Sequence, residues 1–301
     1  MRIRVLGVPL DLGQDHRGVD MGPFALRAAH LDESLRALGH DVEDGGNVPA
    51  RLPEEQPYGD VRAKYLREIA ETSQEVATRV QRMLGDGRFP LVLGGDHSVA
   101  IGTQAGVAAH FRDRGEHVGL IWIDAHADMN TSETSPSGNV HGMPLAALLG
   151  FGEPALTDVL GFAPKIRPEN VVLVGVRDVD PHERGIVRDS GVTAFTMREV
   201  DELGMRRVME RAIATASAGT AGFAVSFDMD VVDPRDAPGV GTPIPGGITY
   251  REAHLAMEMI ADSGRLVALE LVEINPIIDT MNRTGALGVG LIGSALGKKI
   301  L

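Results

Sequence analysis

The sequence predicts an α/β fold in which a parallel β-sheet is flanked by helices on both faces. Three observations lead to it. Apolar, β-branched runs alternate with segments of helical periodicity along the whole chain, the pattern of a parallel sheet covered on both sides. No low-complexity linker and no internal repeat divides the sequence. Its 301 residues lie within reach of one large α/β unit. We therefore expect a single domain over residues 1–301.

Eight runs read as strands: 2–8, 41–44, 90–94, 118–123, 170–175, 191–195, 222–227 and 265–272. Pro23, just after Gly22, suits a helix start, and Gly39 suits its end. Residues 58–84 carry the clearest helical spacing, with Val61, Tyr65, Leu66, Ile69, Val76, Val80 and Met83 on one face. Two long loops, from 124 to 144 and from 228 to 248, directly follow predicted strands. In an open α/β sheet ligands bind beyond the carboxyl ends of the strands, so these loops are the places to look for function.

Composition excludes several classes. A net charge of -13 leaves no basic face to neutralise phosphates, which argues against nucleic acid and fits a cationic ligand or cofactor. The absence of Cys removes disulfides, thiolate ligands and a Cys nucleophile. Lys64, Lys165, Lys298 and Lys299 are the only lysines, so Schiff-base chemistry is a poor expectation. The first residues read as a strand and not a signal peptide, and no run of about 18 apolar residues exists. A cytoplasmic location without membrane attachment is expected.

Residues 124–130 read Asp-Ala-His-Ala-Asp-Met-Asn and residues 226–233 read Ser-Phe-Asp-Met-Asp-Val-Val-Asp. In an extended chain every second side chain shares a face, so Asp124, His126 and Asp128 project together, as do Asp228 and Asp230. His97 ends another apolar run, in Leu-Gly-Gly-Asp-His. Four carboxylates and two imidazoles on one sheet edge repel each other unless cations lie between them, and two divalent ions balance four Asp. One Asp-x-His alone is more often a turn or a cap than a ligand pair. Three such clusters at strand ends are not explained that way. Oxygen-rich donors with two nitrogens and no sulfur favour Mn²⁺. A water between two such ions has its pKa lowered from ~15.7 toward neutrality.

Gly-Gly-Asp-His-Ser at 94–98, the 124–130 run, Ser-Gly-Asn-Val-His-Gly-Met-Pro at 137–144, the 226–234 run and Glu-Ile-Asn-Pro at 273–276 resemble the ureohydrolases, and within them the arginases. The resemblance runs in order from Gly-Val-Pro at 7–9 to the last helix. It implies one domain around an eight-stranded parallel sheet, the arginase/deacetylase-like fold. It also implies two Mn²⁺ per subunit and hydrolysis of L-arginine to L-ornithine and urea by a metal-bridging hydroxide. His97, Asp124, Asp128 and Asp228 would hold one ion, and His126, Asp124, Asp228 and Asp230 the other. Asn130, Ser135 and Ser137, with Asn139 in the same loop, match positions that hold the substrate carboxylate. Asp180 and Glu183 match positions reaching its amino group, Thr242 one that shapes the guanidinium pocket, and Glu273 the carboxylate that pairs with the guanidinium. His141 matches the proton-transfer histidine, and Asp128 can also accept a proton. Such proteins commonly form trimers or hexamers.

The chain departs from arginases in places. Ser135 stands where they often have Thr, Pro136 stiffens the loop, and the extended tail of some animal arginases is not expected. An agmatinase, whose substrate lacks the carboxylate, has no use for the Ser135 and Ser137 loop. A two-metal phosphoesterase has its Asp-x-His first in the chain, whereas here Gly-Gly-Asp-His precedes it. A degenerate scaffold homologue would have lost ligands.

Overall fold

The structure, a computed structural model, describes residues 1–299, so the last two residues of the expected 1–301 domain lie outside it. Eight parallel strands form one sheet: β1 (Arg2–Val8), β2 (Asp41–Asn47), β3 (Phe89–Gly94), β4 (Gly119–Ile123), β5 (Val171–Val176), β6 (Thr193–Thr196), β7 (Phe223–Asp228) and β8 (Leu266–Val272). Their order across the sheet is β2-β1-β3-β8-β7-β4-β5-β6. Every strand expected from the sequence is present, each within a few residues of its expected bounds. The central strands are buried along nearly their whole length, as strands covered on both faces must be. β2 and β6 at the edges are short or polar, which discourages pairing with other chains.

The helix expected over 58–84 runs instead over Leu66–Gly85. Residues 59–64 form a small antiparallel hairpin, and Val61, read above as part of the helical spacing, is 69% exposed. Gly59 at positive φ opens the hairpin, and Tyr65 at φ 52° turns the chain into the helix. The expected helix after Pro23 is two short ones, Gly22–Ala28 and Leu31–Ala37, parted by His30 at φ 64°.

Helix Leu66–Gly85 packs on helix Val99–Arg112, which is buried almost all round. Glycines set how closely the two approach. A Cβ at Gly102 would lie 2.7 Å from the Ser73 carbonyl oxygen, and one at Gly106 would lie 2.5 Å from that of Ala77. This packing anchors the turn after β3, where His97 begins the functional edge of the sheet.

Candidate metal centre

The carboxyl ends of β3, β8, β7 and β4 lie side by side. Each carries one or more of the expected residues: His97 follows β3, Glu273 follows β8, Asp228 ends β7, and Asp124 follows β4. The residues converge, but not by the extended alternation invoked above. β4 stops at Ile123, Asp128 lies in a loop at φ 52°, and Asp230 lies in a single 3₁₀ turn. The turns fold the carboxylates back toward one another. A left-handed Asp is uncommon and marks a backbone held by its surroundings.

Nδ1 of His97 lies 3.1 Å from Oδ2 of Asp124, and 3.0 Å from Oδ2 of both Asp128 and Asp228. One N–H cannot serve three acceptors, and this buried nitrogen has no properly formed hydrogen bond. Nδ1 of His126 lies 3.0 Å from Oδ2 of Asp230 and 3.5 Å from Oδ1 of Asp124. Two groups of donor atoms result, His97/Asp124/Asp228 and Asp124/His126/Asp230, with Asp124 in both. Donors bound at about 2.1 Å to one ion and roughly at right angles stand about 3.0 Å apart, so the residues fit divalent cations.

Neighbouring groups fix the donors. Trp122 Nε1 donates to Asp124 Oδ2 at 2.9 Å, and the His126 amide to Oδ1 at 2.7 Å. Trp122 stacks on the His97 ring at 4.1 Å, and His97 Nε2 meets Ser226 Oγ at 2.8 Å. Thr242 Oγ1 donates to Asp230 Oδ2 at 3.0 Å. Such outer partners orient ligands and set which imidazole nitrogen is free.

Without cations, protons balance the charge. Burial opposes protonation of both imidazoles, but the surrounding carboxylates more than offset it and raise His97 and His126. Burial, then repulsion from Asp230 and Asp124, pushes Asp228 well up. Burial, then Asp124, pushes Asp128 up to about 6. Asp124 is held low: burial acts the other way, but the two histidines outweigh it.

A cavity of about 210 Å³ opens above these groups. His126, Asp128, Asn130, Ser135, Ser137, Asn139, His141, Asp180, Glu183, Asp228, Asp230 and Thr242 line it. So does Asp178, which no motif marks in the sequence. The six acids on its wall suit a cationic ligand. Glu273 is not on that wall. It is fully buried: Oε1 accepts the His97 amide at 2.9 Å and lies 3.2 Å from His141 Nδ1, while Oε2 accepts from Gln14 at 2.7 Å.

Asn130 donates to Asp180 Oδ2 at 2.9 Å. Glu183 is buried and accepts the amides of Met129 and Asp180, and burial pushes its carboxyl up to about 7. Oγ of Ser135 accepts the Gly138 amide and Oγ of Ser137 that of Asn139, and the two hydroxyls lie 3.4 Å apart, so that one can donate to the other. The hairpin brings a cation into this loop. Lys64 Nζ donates to Asn139 Oδ1 at 2.9 Å and pairs with Asp15 at 2.8 Å. Its amide is bound by the Gly138 carbonyl at 2.9 Å. Gly138 has φ +73°, and a Cβ there would strike the Val61 carbonyl oxygen at 1.9 Å.

Known proteins share this fold. The Arginase family model matches residues 1–297. A curated arginase of Bacillus caldovelox is 54% identical over 300 residues, 99% of each chain. One of Bacillus subtilis (strain 168) is 51% identical over 299 residues, again 99% of each. The native structure of the Bacillus caldovelox arginase at pH 5.6 superposes with a TM-score of 0.94 at 53% identity, covering 99% of both chains. With the family matched over nearly its whole length, this chain belongs to the arginase family.

Proposed function

We propose that the protein is an arginase, hydrolysing L-arginine to L-ornithine and urea with two Mn²⁺ per subunit. One observation carries this reading. Two overlapping His/Asp clusters share one acid-lined cavity with a hydroxyl- and amide-bearing loop. The acids suit the two cationic ends of arginine, and the loop suits its carboxylate.

His97, Asp124, Asp128 and Asp228 would hold one ion, and His126, Asp124, Asp228 and Asp230 the other. When bound, the pair polarises the guanidinium and supplies a water acid enough to react near neutral pH. The chain's own groups do the rest. Asp128 is buried and close to the clusters, and its carboxylate can take up a proton lost in the attack. His141 lines the cavity with Nδ1 against Glu273, so Nε2 is free to deliver a proton to the departing ornithine amine. Glu273 supports this as the buried partner of His141. Asp180 and Glu183 draw the amino group, with Asn130 held in place by Asp180.

No helix among the described residues is long and apolar enough to cross a membrane. On the same reading the protein acts in the cytoplasm as a homo-oligomer, a trimer or hexamer.

The deciding experiment measures urea from L-arginine and from agmatine, using metal-stripped protein with and without Mn²⁺. Mn²⁺-dependent urea from arginine, with little from agmatine, is expected. Urea mainly from agmatine would keep the metal chemistry and overturn the carboxylate loop. A second test concerns the loop alone. Ser137→Ala removes one donor to a charged group, so KM for arginine should rise roughly tenfold, about 1.4 kcal/mol, with kcat little changed. An unchanged KM would remove Ser137 from substrate binding.

A further inference from the structure

The segment between β1 and the first helix holds His141 from two sides. The Gly13 carbonyl accepts the His141 backbone N–H at 3.0 Å. The Gly13 amide is in turn bound by buried Asp96, Oδ2 at 2.8 Å. The next residue, Gln14, donates Nε2 to Glu273 Oε2 at 2.7 Å, and the other oxygen of Glu273 lies 3.2 Å from His141 Nδ1. Gln14 is 5% exposed and Glu273 is fully buried.

Packing does not account for an amide here. Oε1 of Gln14 is buried with no partner. It faces Gly241, where a Cβ would fall 2.6 Å away. An unpaired buried acceptor destabilises the fold, and an apolar side chain of similar length would avoid that cost. What the amide adds is one donor aimed at Glu273. The orientation is settled by chemistry, since the opposite one would set oxygen against carboxylate.

Building on the arginase reading, we propose that Gln14 is a positioning residue that acts through Glu273 to set the orientation and tautomer of His141. Its donor binds Oε2 and so directs Oε1 to the Nδ1–H of His141. That leaves Nε2 as the nitrogen offered to the substrate. Glu273 has φ 66°, so its side chain leaves a backbone that cannot readily readjust. Without the Gln14 donor, Oε2 becomes a buried unpaired charge, and the carboxylate turns away from the ring to satisfy it.

The test uses full-length, Mn²⁺-loaded Gln14→Leu, with Gln14→Met as a second apolar replacement. Each should lower kcat for arginine roughly tenfold, as expected when a proton-transfer group is misplaced. KM and metal content should stay within about twofold of wild type, while the melting temperature should fall modestly, because a buried charge loses its donor. In a His141→Asn background, Gln14→Leu should add no further loss, since residues acting as one unit are not additive. A crystal structure of Gln14→Leu should show Glu273 and His141 further apart than 3.2 Å. Wild-type kcat in both variants, an equal loss with and without His141, or an intact Glu273–His141 contact would each overturn the inference. Absence of urea from wild type would instead sink the reaction assignment, while the structural comparison would still judge Gln14.

Discussion

Asp124→Asn should abolish arginine hydrolysis, with kcat down by at least roughly 10³-fold, about 4 kcal/mol. Asp124 belongs to both donor groups, so one substitution reaches both proposed ions. Asparagine keeps the volume but not the chemistry. Oδ1 accepts from the His126 amide and Oδ2 from Trp122 Nε1. Whichever way the new amide turns, its NH₂ faces one of these donors, and a negative charge is lost as well. Both bound metals should therefore drop below one per subunit by elemental analysis, with the circular dichroism of the fold retained. His126→Ala touches one group only and should leave one ion more firmly held than the other. An Asp124→Asn protein with full metal content and full activity would refute the two-metal centre.

Stripping the metal should be nearly as severe for stability as for activity. Each ion present at about 1000 times its Kd stabilises the folded chain by roughly 4 kcal/mol, which for a chain of this size raises Tm by roughly 6 °C. The effect should grow with pH. In the metal-free protein, burial and neighbouring Asp124 raise the Asp128 carboxyl to about 6. A group raised on folding contributes stability that is fully present below its unfolded value and lost as pH rises through its folded one. The metal-free chain thus loses Asp128's contribution between about pH 4 and pH 6. His97, His126 and Asp228 are also raised and act in the same direction. Cations replace those protons, so binding releases them and weakens in acid. Melting curves with and without Mn²⁺ at pH 6 and pH 8 decide the matter. A gap absent at pH 8, or narrower there than at pH 6, would contradict this account.

The parts of the molecule legible in sequence are those where local pattern and global position agree. β4 and β5 are apolar on both faces because both are covered, and that shows directly as uninterrupted runs. The candidate metal donors were legible because strand ends are short in sequence and shared in space. The reason first given for their convergence, extended alternation, is wrong for Asp128 and Asp230, since tight turns bring them in. Helical spacing over 58–65 proved accidental: tertiary contacts of Lys64 and Gly138 override it. Lys64 beside Asn139, Asp178 on the wall and Gln14 under Glu273 each depend on a partner distant in sequence, and no local signal marks them.

Gln14 and Glu273 are 259 residues apart in the chain yet share one hydrogen bond. The donor groups likewise come from three strand ends separated by whole βα units. During synthesis, then, no stretch emerging from the ribosome holds a working site until β8 and the turn after it have appeared. Interrupted translation products will carry strong Asp and His motifs and still lack the assembled centre. The cell is thereby spared partial catalysts: the chemistry switches on only when almost the entire polypeptide has been made.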